Sequence, residues 1–358
     1  MSGRVAIILF NLGGPDGPEA VEPFLLNLFS DPAILSVPGF LRGRLARLIA
    51  RKRAPIAREI YAKMGGGSPI LPQTEAQARA LEAVLAGAGE AGGSARVFTV
   101  MRYWHPRAAD VAREVKAWGP ERIVLLPLYP QFSTTTTGSS LAEWAEAAAA
   151  AGLDQPTHTI CCYPREAGFL AAHARAIEAR LAEVPAGETI RILFSAHGLP
   201  ERVIKRGDPY QWQVERTVEA LVDHLNPRLG EGLYDWRICY QSRVGPLKWI
   251  GPSTEDEIRA GAAAGRALVV VPIAFVSEHS ETLVELDDEY RHLAEAAGAR
   301  TYLRVPALGV SEAFIGGLGA LVADALARPP GIGPHGGRRI CNGDRAGCPC
   351  ASQPLAAE

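Results

Sequence analysis

Between Phe275 and Tyr290 the chain reads FVSEHSETLVELDDEY, six carboxylates and a histidine following directly on the apolar run RALVVVPIA. Glu281, Glu285 and Glu289 recur at every fourth position. A helix starting near Ser277 therefore sets three carboxylates in a ladder on one face. Like charges at that spacing destabilise a helix by roughly 0.2–0.5 kcal/mol per exposed pair, and no Lys or Arg offsets them before Arg291. A solvated acidic face is the plain alternative. An acidic file that begins where a buried strand stops is instead a path for cations or protons, and carboxylate oxygens suit hard or borderline divalent metals. His197, in LFSAHGLP, also follows an apolar run directly. A neutral imidazole beside a carboxylate gives a metal site, or an acid/base pair working near neutral pH.

Cysteine supplies a second chemistry. Cys341, Cys348 and Cys350 follow the spacing C-x6-C-x-C in a Pro/Gly-rich tail. Such a tail is disordered unless something ties it down, and three thiolates are soft ligands suited to zinc or an iron–sulfur cluster. The spacing fits no standard zinc ribbon, which favours [2Fe–2S]. A fourth ligand is then needed, and Cys161 and Cys162 are the candidates, whereas Cys239 sits between Ile238 and Tyr240 as a core residue. A third feature is RGRLARLIARKR, residues 42 to 53, with six basic residues and Leu45, Leu48 and Ile49 at helical spacing. It reads as a membrane-surface or docking lip, or equally as a solvated helix. The turn NLGGP after the first apolar run lacks both G-x-G-x-x-G and G-x-x-x-x-G-K, so no nucleotide site is expected there.

These residues need a scaffold. Eight apolar runs, beginning near Val5, Arg96, Arg122, Thr157, Thr189, Asp235, Arg266 and Arg300, are continuous in Val, Ile and Leu and are separated by Ala/Glu-rich segments ending in glycine. That pattern predicts α/β architecture with parallel strands covered on both faces. The runs divide four and four about a long helical segment, giving two Rossmann-like domains, each a four-stranded parallel sheet flanked by helices. The expected limits are 1–165, with a lip at about 32–60, then 166–328, then a Cys-containing tail at 329–358. In open parallel sheets ligands bind beyond the carboxyl ends of the strands. NLGGP, RYWHP, YPQFSTTTTGSS, SAHGLP, YQSRVGP and FVSEHSETL all fall there.

The 358 residues are 47% hydrophobic and 21% charged with a formal net charge of -2, which excludes a charge-driven nucleic-acid binder. No run reaches the ~20 apolar residues that span a bilayer, and the N-terminus lacks a signal peptide's cleavage site. A cytoplasmic protein is expected, with cysteines as ligands or free thiols.

Together the motifs NLGGPDGPEAVEPFLLNLFSDPAIL, GGGSPI, MRYWHP, YPQFSTTTTGSS, SAHGLP, YQSRVGPLKWIGPSTED and PIAFVSEHSETLVELDDEY resemble the ferrochelatase family, in order, to about Leu326. The resemblance implies the chelatase fold and a lyase that inserts Fe²⁺ into protoporphyrin IX, releasing two protons, in the final step of haem biosynthesis. It makes His197 and Glu281 the metal-site pair, as ligands or as proton acceptors, and Glu285 and Glu289 the file leading away. Asn11, Leu12, Arg102, Tyr103, Tyr129, Gln241, Trp249, Phe275 and His279 match positions lining the porphyrin pocket, with Arg102 expected on a propionate. A bacterial-type [2Fe–2S] cluster on Cys341, Cys348, Cys350 and Cys161 (or Cys162) is implied as well. So is a peripheral seat on the inner membrane through the lip, as monomer or homodimer, with no nucleic acid. The lip favours the less carboxylated porphyrin.

Overall fold

The structure, a computed structural model, describes residues 3–35, 37–87, 94–229, 234–243, 247–343 and 345–352. Residues 244–246 of the YQSRVGP motif and the last six of the tail lie outside them. Among the described residues nine strands form two all-parallel sheets: β1 (Val5–Asn11), β2 (Ala95–Met101), β3 (Arg122–Pro127), β4 (Thr157–Ile160), β5 (Ile190–His197), β6 (Tyr234–Gln241), β7 (Ala267–Pro272), β8 (Tyr302–Arg304) and β9 (Gly331–Gly333). The first sheet runs β2-β1-β3-β4-β9 and the second β6-β5-β7-β8. β1 and β7 are buried at every position, as central strands covered by helices on both faces must be.

The first sheet thus holds five strands where four were expected. The fifth comes from the tail: Gly331–Gly333 pairs with His158–Ile160. Three residues with one apolar side chain, Ile332, which packs against Phe132 and its neighbours, carry no strand pattern, and the ladder itself is made by backbone. The packing also departs from a second half running unbroken to 328. Helix Glu312–Leu326 buries Phe314, Leu318 and Leu321 with Val5, Ile7 and Leu9 in the core of the first sheet. Helix Ala167–Leu181 is shared. Its Phe169 and Ala172 enter that core, and Ala174 and Ile177 enter the core of the second sheet.

Hydrogen bonds stitch the two sheets together at their carboxyl ends. Gln77 donates to the carbonyls of Val276 (2.9 Å) and Gly309 (3.0 Å), and Gln131 donates to Thr217 (3.0 Å). Asp208 accepts from Ser133 and from the amide and hydroxyl of Thr134. These buried polar bridges set the strand ends of one half against those of the other.

The lip is helix Gly39–Ala62. Its buried stripe is Ala46, Ala50 and Ala54, not the expected leucine file, because small residues let it lie close against helix Val21–Ser30. Phe40 (80% exposed), Leu48 (64%) and Ile56 (63%) face outwards.

Candidate active site

β5 delivers His197 at its last residue. Gly198 then lets the chain pass close to β6: its amide bonds the Gln241 carbonyl at 2.9 Å, and a Cβ there would sit 2.9 Å from that same oxygen. The closeness of these two strand ends brings Ser242 beside His197. From the next strand, β7, the chain turns through Phe275–Ser280 into residues Glu281–Glu289, which form a π-helix rather than the expected α-helix from Ser277. Such wide turns, closed at i+5, are rare and concentrate at functional sites. Thr282, Val284 and Leu286 are its buried face. It is pinned from below by Arg304, which bonds Glu278 (2.8 and 3.0 Å) ahead of the helix and Asp287 (2.7 Å) within it.

On the opposite face His197 Nδ1 meets Glu281 Oε2 at 2.8 Å, so the two expected partners converge. The imidazole is still 37% exposed and Glu281 23%, and the pair is reached from solvent. Behind it, Glu285 is held by the Ser242 amide (2.8 Å), Gln241 Nε2 (3.1 Å) and Tyr290 OH (3.0 Å). Glu289 ends the file, exposed. Ser242, which sequence reasoning did not single out, joins the first two acids: its hydroxyl lies 3.2 Å from Glu281 Oε2 and 2.5 Å from Glu285 Oε2. Its φ of 60° is the only positive value among the described non-glycine residues, a conformation that costs about 1–3 kcal/mol and clusters at functional sites. Nothing in the letters YQSR announces that torsion.

The charges separate along the file. Burial works to raise the Glu281 pKa, but the His197 contact overrides it, helped by His279 and Ser242, and brings it down to about 2. Burial and then the Glu281 charge push Glu285 up. Burial opposes the His197 imidazolium, yet Glu281, by charge and hydrogen bond, raises its pKa. Burial lowers His279, whose Nδ1 sits 3.1 Å from the Ser277 carbonyl. An ionised carboxylate, a proton-holding imidazole and a second carboxylate that accepts protons readily therefore stand in series.

The other expected residues gather at the same strand ends but divide in role. Asn11 is buried and bonds Thr74 (2.9 Å) and the Leu12 amide. Leu12 and Tyr103 belong to the apolar cluster under the lip. Tyr129 packs against the core on the far face of the first sheet, Trp249 bridges Pro200, and Phe275 tilts against His279 with ring centroids 4.7 Å apart. Gln241 is buried and orders Glu285 from behind, accepting from Ser195 at 2.8 Å. Arg102, expected on a propionate, is instead turned inwards onto Asp31 (2.8 Å), Glu143 (3.2 Å) and Ser139 (2.7 Å). Asp31 also holds the Tyr103 hydroxyl at 2.8 Å; its role as hub was not read from SDPAIL.

A second cluster lies on the edge of the first sheet. Cys161, Cys162, Cys341, Cys348 and Cys350 are buried around Phe132. Cys161 and Cys162 Sγ are 3.2 Å apart, and Gln213 donates to Cys341 (3.1 Å) and Cys162 (3.5 Å). Hydrogen bonds from Cys161, Cys341 and Cys350 converge on Cys348 and lower its pKa. The tail is tied here by the Cys161 amide on the Gly333 carbonyl (2.8 Å) and by Arg339, buried on the carbonyls of Asn342 and Ala351. Five soft donors exceed the four thiolates that a [2Fe–2S] cluster takes, so the donor set fits that group. Among the described residues no three His, Cys, Asp or Glu side chains converge on a single metal ion.

The ferrochelatase family profile matches residues 4–326. The ferrochelatase of Caulobacter vibrioides (strain NA1000 / CB15N) is 54% identical over 350 residues, covering 98% of each chain. That of Pelagibacter ubique is 53% identical over 319 residues, covering 89% of this chain and 90% of its own. Among solved structures, SirB from Bacillus subtilis with Fe³⁺ aligns at a TM-score of 0.51 and 13% identity, over 91% of this chain and 96% of that one.

Proposed function

The chain belongs to the ferrochelatase family, a metal chelatase that inserts Fe²⁺ into protoporphyrin IX to form protohaem; from that premise we propose that His197 and Glu281 receive the iron and that Ser242, Glu285 and Glu289 carry protons away. The 2.8 Å contact between His197 and Glu281 supports this reading above all. A carboxylate held ionised attracts a dication, and an imidazole beside it holds a proton that the arriving metal displaces. That proton, and those leaving the ring nitrogens, need acceptors in a place apolar enough to hold a porphyrin. Glu285, with its raised pKa, takes a proton near neutral pH more readily than an ordinary carboxylate. The exposed Glu289 returns it to water. Leu12, Trp249 and Phe275 would bear on the ring; with Arg102 committed to Asp31 and Glu143, it anchors the site floor instead of a propionate.

His197→Ala is expected to lower metal insertion by at least about 10³-fold, the scale for losing a group that acts directly on the reacting atoms. Porphyrin binding should persist. Turnover within tenfold of wild type, measured with Fe²⁺ or Zn²⁺, removes the assignment.

Cys341, Cys348, Cys350 and Cys161 would hold a [2Fe–2S] cluster, Cys161 being in contact with both Cys348 and Cys350. Bound there, the cluster supplies a covalent tie between the tail and the edge of the first sheet. The outward Phe40, Leu48 and Ile56 on a helix rich in arginine support a peripheral seat on an anionic membrane, from a cytoplasmic location. Among the described residues no helix is long and apolar enough to cross a bilayer. Replacing those three side chains by Ser should abolish sedimentation with phosphatidylglycerol vesicles; undiminished binding refutes the seat.

A further inference from the structure

The lip helix stops at the glycines of GGGSPI. Gly65 and Gly66 take φ of 89° and 99°, which glycine adopts freely, and the Gly66 amide returns to the Tyr61 carbonyl at 2.9 Å. Gly67 passes so close to Asp16 that a Cβ there would lie 3.0 Å from its backbone, and the Ser68 amide bonds the Pro15 carbonyl at 2.7 Å. The last turn of the lip is thereby fixed to the loop after β1, whereas its other end carries the exposed Phe40. Two side chains reach from the fixed end to the acid file. Tyr61 is buried, its ring in the apolar cluster with Leu12 and Tyr103, and its hydroxyl hydrogen-bonds the side chain of Ser280, the residue before Glu281. Burial, opposed by that hydrogen bond and reinforced by the Glu281 charge, pushes its pKa up to about 12, so the phenol keeps its proton. Lys63 Nζ, on the surface, meets Asp288 Oδ2 at 2.6 Å. Ser280 and Asp288 bracket Glu281 and Glu285.

We propose that Tyr61 is a positioning residue for metal reception: through Ser280 it fixes the start of the π-helix and so aims the Glu281 carboxylate at His197, with Lys63 on Asp288 steadying the far end. The role rests on His197 and Glu281 receiving the metal. His197, Gln241, Ser242 and Tyr290, which hold Glu281 and Glu285, come from the part of the chain that builds the second sheet. Tyr61 and Lys63 come from the lip. A helix closed at i+5 turns less per residue than one closed at i+4, so a slip in winding swings every acid after Ser280 off its partner. A tie at each end holds the winding. The two ties are unequal. An exposed ion pair is screened by solvent and contributes little, whereas a buried hydroxyl that loses its partner leaves a polar group stranded. The lip that would bear a porphyrin and the acids that would receive iron thus form one mechanical unit.

In Tyr61→Phe the ring still fills the apolar cluster and only the hydroxyl is lost. KM for Zn²⁺ should rise about 3–10-fold, the scale of one hydrogen bond, with kcat at saturating metal within twofold and KM for porphyrin unchanged. That split marks lost reception of the metal and not a general loosening of the fold. Ser280→Ala should match it, Ser280→Thr, which keeps a hydroxyl, should restore the wild-type constant, and the double variant Tyr61→Phe/Ser280→Ala should be no worse than either single. Lys63→Met, at the solvent-screened tie, should move the same constant less than twofold. A metal KM unmoved in Y61F overturns the role, as do single effects that multiply in the double variant, a porphyrin KM that rises alongside, or a Lys63→Met effect larger than that of Y61F. His197→Ala assayed beside them keeps two failures apart. A dead H197A with an indifferent Y61F removes the tie and leaves the metal pair standing; an active H197A removes both.

Discussion

Two clusters of like groups stand at the margins of the two sheets, and they are built in opposite ways. The acids at the end of the second sheet are individually accommodated. Glu281 has His197, Glu285 has the Ser242 amide, Gln241 and Tyr290, and Ser242 bridges the two. The file opens to water at His197 and at Glu289. The thiols beside the first sheet are buried, packed on Phe132, and among the described residues draw on little beyond one another and Gln213. Groups that shuttle charge need separate partners that tolerate both protonation states. A nest that lacks them suits one shared partner, which would add to the ties the tail already makes through β9 and Arg339.

The largest effect should come from the thiol nest. Cys161→Ser and Cys348→Ser are each expected to abolish the visible absorption of a [2Fe–2S] cluster in the purified protein. Release of the tail should lower Tm by about 5–10 °C, the fall that goes with losing a few kcal/mol in a chain of this size. Insertion turnover should stay within a few-fold at low temperature, because no thiol touches the file. Cys162→Ser should keep the absorption. Full-strength absorption in C161S, or its loss in C162S, reverses the ligand choice; a stable protein with dead turnover would erase the contrast between the two clusters.

Ser242 sharpens the same contrast from the other side. Its hydroxyl contacts charged groups, an interaction worth about 1.5–3 kcal/mol, so Ser242→Ala should reduce kcat by about 10–100-fold with KM for porphyrin little changed. Ser242→Gly loses the same hydroxyl but relaxes the left-handed backbone. It should melt higher than S242A, by up to about 1 kcal/mol, and turn over no faster. If the glycine variant regains wild-type kcat, the hydroxyl carries nothing and the torsion alone matters.

What was legible in the letters followed from how completely a feature is written in side chains. β1 and β7 were plain because strands buried on both faces must be apolar throughout. His197 and Glu281 were plain because polar residues directly after such strands land at the open end of a sheet. The π-helix was not, since carboxylates four apart look the same whether turns close at i+4 or i+5. β9 was invisible because GIG binds by backbone, and the lip's buried stripe was misplaced because alanines made the close contact while Leu48 stayed outside. The ion pairs of Arg102 were not legible for a different reason: its partners, Asp31 and Glu143, lie far away in sequence.

The smallest effect tests whether the acids are truly held by partners. Glu281 has its pKa depressed, from 4.5 to about 2, so its contribution to stability is present above pH 4.5 and fades as pH falls towards 2. His197 is raised above 6.5, so its contribution is complete below pH 6.5 and fades as pH rises through the folded value. Glu285, raised above 4.5 in part by Glu281, withdraws stability as pH climbs past 4.5. Glu281→Gln removes the source of all three. The advantage of wild type over E281Q in urea unfolding should therefore peak near pH 4.5–5 at about 1 kcal/mol, Glu285 offsetting part of the ion pair, and shrink steadily through neutrality. An advantage that is flat from pH 5 to 8 would mean that neither His197 nor Glu285 feels Glu281. The ladder would then be a solvated acidic face after all, no different in kind from any charged helix.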